Sequence, residues 1–345
     1  MRLNLKSRFG QATRSALRDR SVVALALTVA AVGGIFLVRC RSKPTMTPDQ
    51  YWAMKASWRN CADVVLTGDS RVNIGANPQA MRPALPGRTI LNFGFFGNGY
   101  TADYLHRARG VLRQDGSRII VLGITPISLT SHTQSDNNFV QAMKDFEAQK
   151  KRWAAVTDLL AWLRVPAPPL TIEKAFRVSD DLQAEIDVLA EPMTFENAVN
   201  SMVHWNKRSH TNDYRPDGWM EVQSTRDDYR AELNDYEAMF KSDKTQPAVI
   251  DGLLKQVRQW RKEGVRVYAF RVPTSDEMFA LENRISGFDE QAFTAGLKDA
   301  GGVWIAMDQR AYHSYDGSHL RYDAAIRMSQ DLAAKIAAAE AAPGR

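Results

Sequence analysis

Cysteine is nearly missing from this 345-residue chain, which holds only Cys40 and Cys61. One bridge between them would close a short loop and do little for a core this large. A disulfide scaffold is therefore excluded, and both read as structural or unbridged thiols. Cys/His spacing of the metal-binding type is missing too. The group His204, His210 and Asp213 in HWNKRSHTND reads as a polar surface run, and no metal or cofactor is expected. Repeats and low-complexity tracts are absent apart from an Ala-rich tail over 333–342. With 44% hydrophobic and 24% charged residues, the composition suits a large buried core and excludes disordered and collagen-like chains.

Basic charge is scarce where a nucleic-acid reader would need it. The formal net charge is +6, yet residues 1–43 hold nine basic side chains and one acid, a local +8, which leaves −2 for the remainder. No nucleic-acid partner is expected on that footprint. The basic end instead flanks Ser21–Val38 (SVVALALTVAAVGGIFLV), 18 residues without a charge or proline. As a helix this run is about 27 Å long, enough to span a bilayer. Six basic residues precede it and three follow. The positive-inside bias therefore predicts a cytoplasmic tail (1–20), a transmembrane anchor (21–38) and an extracytoplasmic, periplasmic remainder. Leu37-Val38-Arg39-Cys40 lacks the small residues that a signal-peptide or lipoprotein cleavage site needs, so the anchor is read as uncleaved.

Thr47–Asn60 reads as a membrane-proximal helix (within 39–60), capped by Thr47 with Pro48 at its first position. Five β-branched runs follow: Asp63–Thr67, Arg88–Asn92, Arg118–Ile124, Val265–Phe270 and Gly302–Met307. Continuous rather than alternating apolar runs predict strands buried on both faces. Helical stretches separate them at Thr101–Leu112, Pro247–Lys262, Glu277–Ala300 and Tyr322–Ala339. The expected fold is three-layer α/β with a mostly parallel five-stranded sheet, formed by 61–125 and 265–340. Residues 126–264 form an insertion, read as mainly helical and rich in Trp and Tyr, either a lid or partner surface over the strand ends or extra packing. Ligands of such sheets sit beyond the carboxyl ends of the strands.

Two groups of polar residues stand after strand ends. Gly68-Asp69-Ser70-Arg71 follows the first run, and Asp316-Gly317-Ser318-His319 follows the last. A serine hydroxyl is a weak nucleophile at neutral pH and needs a base within reach, with a third group fixing the base's tautomer. Asp316 and His319 suit those two roles, and a parallel sheet would carry Ser70 to the same edge. His313 is a second candidate base, but it has no aspartate at the same spacing. Arg71, and Arg271 with Thr274 and Ser275, also follow strand ends, and either arginine is a weak candidate for holding substrate.

These blocks resemble the SGNH/GDSL superfamily of ester hydrolases and acyltransferases, whose fold is the flavodoxin-like αβα sandwich. Gly68-Asp69-Ser70 matches the nucleophile block and D-x-x-H falls on Asp316 and His319. Asn92-Phe93-Gly94-Phe95-Phe96-Gly97-Asn98 matches the N-x-G-x-x-G turn. The resemblance implies a Ser70, His319, Asp316 triad, with the N–H groups of Ser70 and Gly97 as oxyanion donors. The third block departs from the pattern. Gly123-Ile124-Thr125-Pro126 carries no Asn where the family usually has one, which leaves Thr125 or Asn98 as substitute donors. Loss of one such donor lowers rate by about 10²–10³. The departure resembles a membrane-tethered branch acting on cell-envelope polysaccharides. It implies an acylated glycan as substrate and a membrane-bound O-acyltransferase as partner. The alternative is a catalytically weak or inactive binding subunit of a polysaccharide acylation complex.

Overall fold

The computed structural model describes residues 46–135, 137–162, 210–224 and 230–342. The apolar run 21–38, Cys40 and His204 lie outside them. Among the described residues no helix is long and apolar enough to cross a membrane.

The strands are β1 (Val64–Thr67), β2 (Ile90–Asn92), β3 (Ile119–Ile124), β4 (His210–Tyr214), β5 (Met220–Ser224), β6 (Arg266–Arg271) and β7 (Val303–Trp304). Five of them form one sheet in the order β2-β1-β3-β6-β7, and every pairing in it is parallel. Along each strand, alternate residues enter opposite cores, as the two-residue period requires. Val65, Leu91, Ile120 and Val267 face one layer, while Val64, Leu66, Ile90, Ile119 and Val121 face the other. Both layers are apolar, which explains why the runs read as continuous rather than alternating.

The helices are α1 (Pro48–Ser57), α2 (Ser70–Gly75), α3 (Pro78–Met81), α4 (Ala102–Val111), α5 (Asn138–Trp162), α6 (Arg230–Ser242), α7 (Pro247–Lys262), α8 (Asp276–Ile285), α9 (Glu290–Asp299) and α10 (Tyr322–Ala341). One layer includes α4 and α7, which bury Tyr104, Ala108, Val257 and Trp260. The other is built on α10, through Ala324, Met328, Leu332 and Ile336. Helix α1 begins with a capping box, Thr47 Oγ1 accepting from Gln50 N at 3.3 Å and Gln50 Oε1 from Thr47 N at 3.0 Å.

Several elements differ in detail from those expectations. Helix α1 packs into the α/β core, where Tyr51, Met54 and Ala56 are buried. Residues 277–300 are two helices. At the break Phe288 turns inward, and the Asp289 carboxylate accepts from Ala292 N at 2.9 Å to start α9. Of the run 302–307, only Val303 and Trp304 form a strand on β6. Beside its helices α5, α6 and α7, the insertion holds β4 and β5, which pair as an antiparallel hairpin that takes up His210 and Asp213. Met220 and Val222 of β5 reach the core, while Asn212 and Asp213 of β4 stay at least partly exposed.

Candidate active site

The parallel sheet sets every βα turn at one edge. At the end of β1 the chain turns through Gly68 and Asp69 into α2, with Asp69 as the N-cap accepting from Arg71 N at 3.0 Å. Ser70 is therefore the first residue of α2. The second βα turn closes against it. Asn92 Oδ1 accepts from Gly94 N at 2.9 Å, while Asn92 Nδ2 donates to Val72 O and Ala76 O, each at 2.7 Å. Asn92 thus ties the turn 92–98 to the helix that carries Ser70.

His319 arrives from beyond β7. Its loop is folded on the Asp316 carboxylate, whose Oδ1 accepts from Ser318 N at 2.9 Å and from His319 N at 2.7 Å. Asp316 Oδ2 lies 2.8 Å from His319 Nδ1, and His319 Nε2 lies 2.9 Å from Ser70 Oγ, across 249 positions of sequence. Burial pushes the Asp316 carboxyl up in pKa, but the His319 contact and the two backbone donors outweigh it and hold the group below the usual carboxylate range. The Tyr315 ring stacks on the imidazole at 5.9 Å. Ser70, His319 and Asp316 are each partly buried. A hydroxyl, an imidazole and a carboxylate in hydrogen-bonded series can pass the serine proton to the imidazole while the carboxylate fixes its tautomer.

No family model and no curated protein matches this chain. Among solved structures, one from Streptococcus pneumonia, described as a "putative platelet activating factor", aligns over 89% of this chain and 97% of its own. Identity is 11% and the TM-score 0.31. A likeness that loose carries neither fold nor chemistry across.

The other candidates fall into different places. Gly97 sits at the exposed tip of the 92–98 turn with φ +61°. Asn98, next to it, is 1% exposed and its amide approaches the Tyr104 hydroxyl. Thr125 does not face the ligand side. Its hydroxyl donates to Asp69 Oδ2 at 2.5 Å, so its one proton is committed inside the protein. Burial raises the Asp69 pKa, and Arg71 and the Thr125 bond partly offset that.

Neither arginine is open to a substrate. Arg71 is 1% exposed and pairs with Glu282 at 2.7 Å. Arg271, 3% exposed, pairs with Glu282 and Glu290, each at 3.0 Å, and lies 4.1 Å from the centre of the Phe279 ring. Glu282 is thus a fully buried carboxylate between two guanidinium groups. Thr274 is buried, and Ser275 starts α8 by accepting from Met278 N at 3.2 Å. His313 is exposed.

Three contributors had no motif to announce them. Ser318 Oγ donates to Tyr236 Oη at 3.0 Å, and Tyr236 lies on α6 of the insertion. Glu232, one turn earlier on that helix, is half-buried, and its pKa is raised by burial and by Asp316. Lys55 of α1 is fully buried beneath the 92–98 turn, donating to Gly94 O at 2.5 Å. A lone lysine in a short helix of mixed polarity carries no sign of burial in sequence.

Proposed function

We propose that this protein is a serine ester hydrolase or O-acyltransferase of the SGNH/GDSL type, acting on acyl esters of cell-envelope carbohydrate from the outer side of a membrane. The observation that supports the chemistry is the continuous series Ser70 Oγ, His319 Nε2, His319 Nδ1, Asp316 Oδ2 at 2.9 and 2.8 Å, at the carboxyl edge of a parallel sheet.

In this reading Ser70 Oγ attacks the ester carbonyl as its proton passes to His319 Nε2. The carbonyl oxygen, now negative, is held by the N–H groups of Ser70 and Gly97 and by the Asn98 amide. Collapse breaks the carbon–oxygen bond to the leaving alcohol, which takes the proton from His319. The acyl-enzyme is then attacked by water, giving the acid, or by a sugar hydroxyl, giving a new ester. His319 accepts that nucleophile's proton and returns one to Ser70. Asp316 orients the imidazole and stays ionised throughout.

Labelling of the full-length chain by a fluorophosphonate tests this. Wild type should label and Ser70→Ala should not. A folded wild type that stays unlabelled overturns the enzyme reading and favours a binding subunit. The commitment of Thr125 to Asp69, with no Asn in the third block, is what such a subunit would show. Location is tested separately: a periplasm-active reporter fused after Arg345 should work and a cytoplasm-only one should not.

A further inference from the structure

The residue after Ser70 and the residue before His319 are bonded to each other. Arg71 Nε donates to Ser318 Oγ at 3.0 Å, across 247 positions of sequence. Both side chains are buried, at 1% and 0% exposure. The bond is fixed from both ends. Ser318 Oγ accepts from Arg71 and gives its one proton to Tyr236 Oη at 3.0 Å. The Tyr236 ring lies 4.9 Å from the Arg71 guanidinium, and Arg71 Nη1 meets Glu282 Oε1 at 2.7 Å. Glu282 Oε2 is held in turn by Arg271 Nη2 at 3.0 Å. The loop before Ser318 is also tied down, because Ser275 N donates to Gly317 O at 2.9 Å.

The contact between Ser70 and His319 has to be made by two loops that arrive separately. A displacement of about 1 Å there costs about 10² in rate, since proton transfer needs the groups at hydrogen-bond distance. The chemistry itself cannot supply that precision, because Ser70 and His319 must also move protons. A second bond one residue away on each loop, shielded from water and taking no part in the reaction, supplies it. Only a guanidinium fits the place. Its planar fork addresses Ser318 through Nε and Glu282 through Nη1 while its face lies on Tyr236, and a lysine could make one of those contacts at a time.

We propose that Arg71 is a positioning residue, whose bond to Ser318, backed by Glu282 and by Tyr236 of the insertion, sets the separation of Ser70 from His319. The proposal rests on Ser70 and His319 being nucleophile and base. It also accounts for part of the 126–264 segment, since α6 then buttresses the site rather than closing over it as a lid.

The test compares full-length wild type, Ser318→Ala, Tyr236→Phe, Arg71→Lys and the Arg71→Lys/Ser318→Ala double variant. One measurement is the rate of fluorophosphonate labelling across pH. The other is the His319 imidazole N–H proton resonance in histidine-labelled protein, with folding followed by circular dichroism. Ser318→Ala should label about 10- to 100-fold more slowly. The double variant should be no slower than the slower single one, because both remove the same tie. The His319 resonance should shift or broaden. Arg71→Lys strands part of Glu282 in the core and can fail to fold, so Ser318→Ala, which loses a single oxygen, carries the decision. A folded Ser318→Ala protein with wild-type labelling rate and an unchanged His319 resonance overturns the proposal. If wild type itself does not label, the serine-enzyme reading falls, and the resonance alone decides: a shift in Ser318→Ala supports the tie and no shift overturns it.

Discussion

Lys55 Nζ lies 2.7 Å from Asn73 Oδ1 inside the protein, with Gly94 O at 2.5 Å and Gly218 O at 3.1 Å around the same nitrogen. One side chain of α1 thereby touches the helix of Ser70, the 92–98 turn and the tip of the β4–β5 hairpin. Among the described residues no carboxylate forms an ion pair with it. Burial holds its pKa well below the usual lysine value, and the charge of Asp217 opposes this only in part. Lys55→Met would remove a donor shared by three buried oxygens, of which the Tyr51 hydroxyl, 2.5 Å from both Asn73 Oδ1 and Gly218 O, can still serve one. Its stability in urea should fall by about 1–3 kcal/mol for each oxygen left without a donor. An unchanged midpoint would mean that those oxygens find other donors.

Asp217, at the hairpin tip, gives a pH dependence. Burial pushes its pKa up to about 6, against the contrary pull of Trp219 N, Arg82, Arg215 and Lys55. Between roughly pH 4 and 6 the folded chain therefore binds a proton that the unfolded chain has released. Stability from this group falls as pH rises through that window, and the loss is complete above pH 6. Asp217→Asn keeps an oxygen for Trp219 N and cannot ionise. It should gain on the order of 1–3 kcal/mol at pH 7 and flatten the stability profile between pH 4 and 6. A profile as steep as that of wild type would place the titration elsewhere.

Two glycines with positive φ should respond differently to alanine. At Gly218, φ +82°, an added Cβ would come within 2.1 Å of Asn92 O and 2.6 Å of the Trp58 ring. Gly218→Ala should lose more than about 3 kcal/mol, or fail to accumulate, because rigid backbone and a buried ring must both move. At Gly97, φ +61°, no atom lies within 4 Å of such a Cβ. Gly97→Ala should lose only about 1 kcal/mol to backbone strain and keep most of its fluorophosphonate labelling, because the N–H remains. Thermal melts and labelling rates of the two side by side are the check, and equal losses would refute the contrast.

Asp316→Asn separates orientation from folding. The side-chain oxygen that accepts from Ser318 N and His319 N can stay, so the melting temperature should move little. The amide would favour the wrong imidazole tautomer, and labelling should drop by about 10⁴. A drop under tenfold would remove Asp316 from the proposed mechanism.

Much of the architecture was legible because it follows from short-range rules. The five apolar runs mark the five sheet strands, since burial on both faces leaves no alternation to obscure them. Thr47 with Gln50, and Thr101 ahead of α4, announce their helices through caps whose bonds are local. Where the reading failed, burial of particular side chains decided. The hairpin 210–224 looks polar because Glu221 is buried in a bond with Arg215, a pairing that alternation does not reveal. At the break 286–289, Phe288 is buried against the Phe293 ring at 5.6 Å, a tertiary preference that helix periodicity does not show.

The sequence by itself determined the sheet strands, the capped helices and the presence of a serine, a histidine and an aspartate after strand ends, because each depends on neighbours within a few positions. Only the tertiary structure decided what the charged residues do. Arg71, Arg271 and Lys55 resemble surface residues in sequence, yet all three are buried, with partners many positions away. The cost of removing a charge from water is repaid only by groups that the fold brings together, and a linear sequence does not show which groups those are.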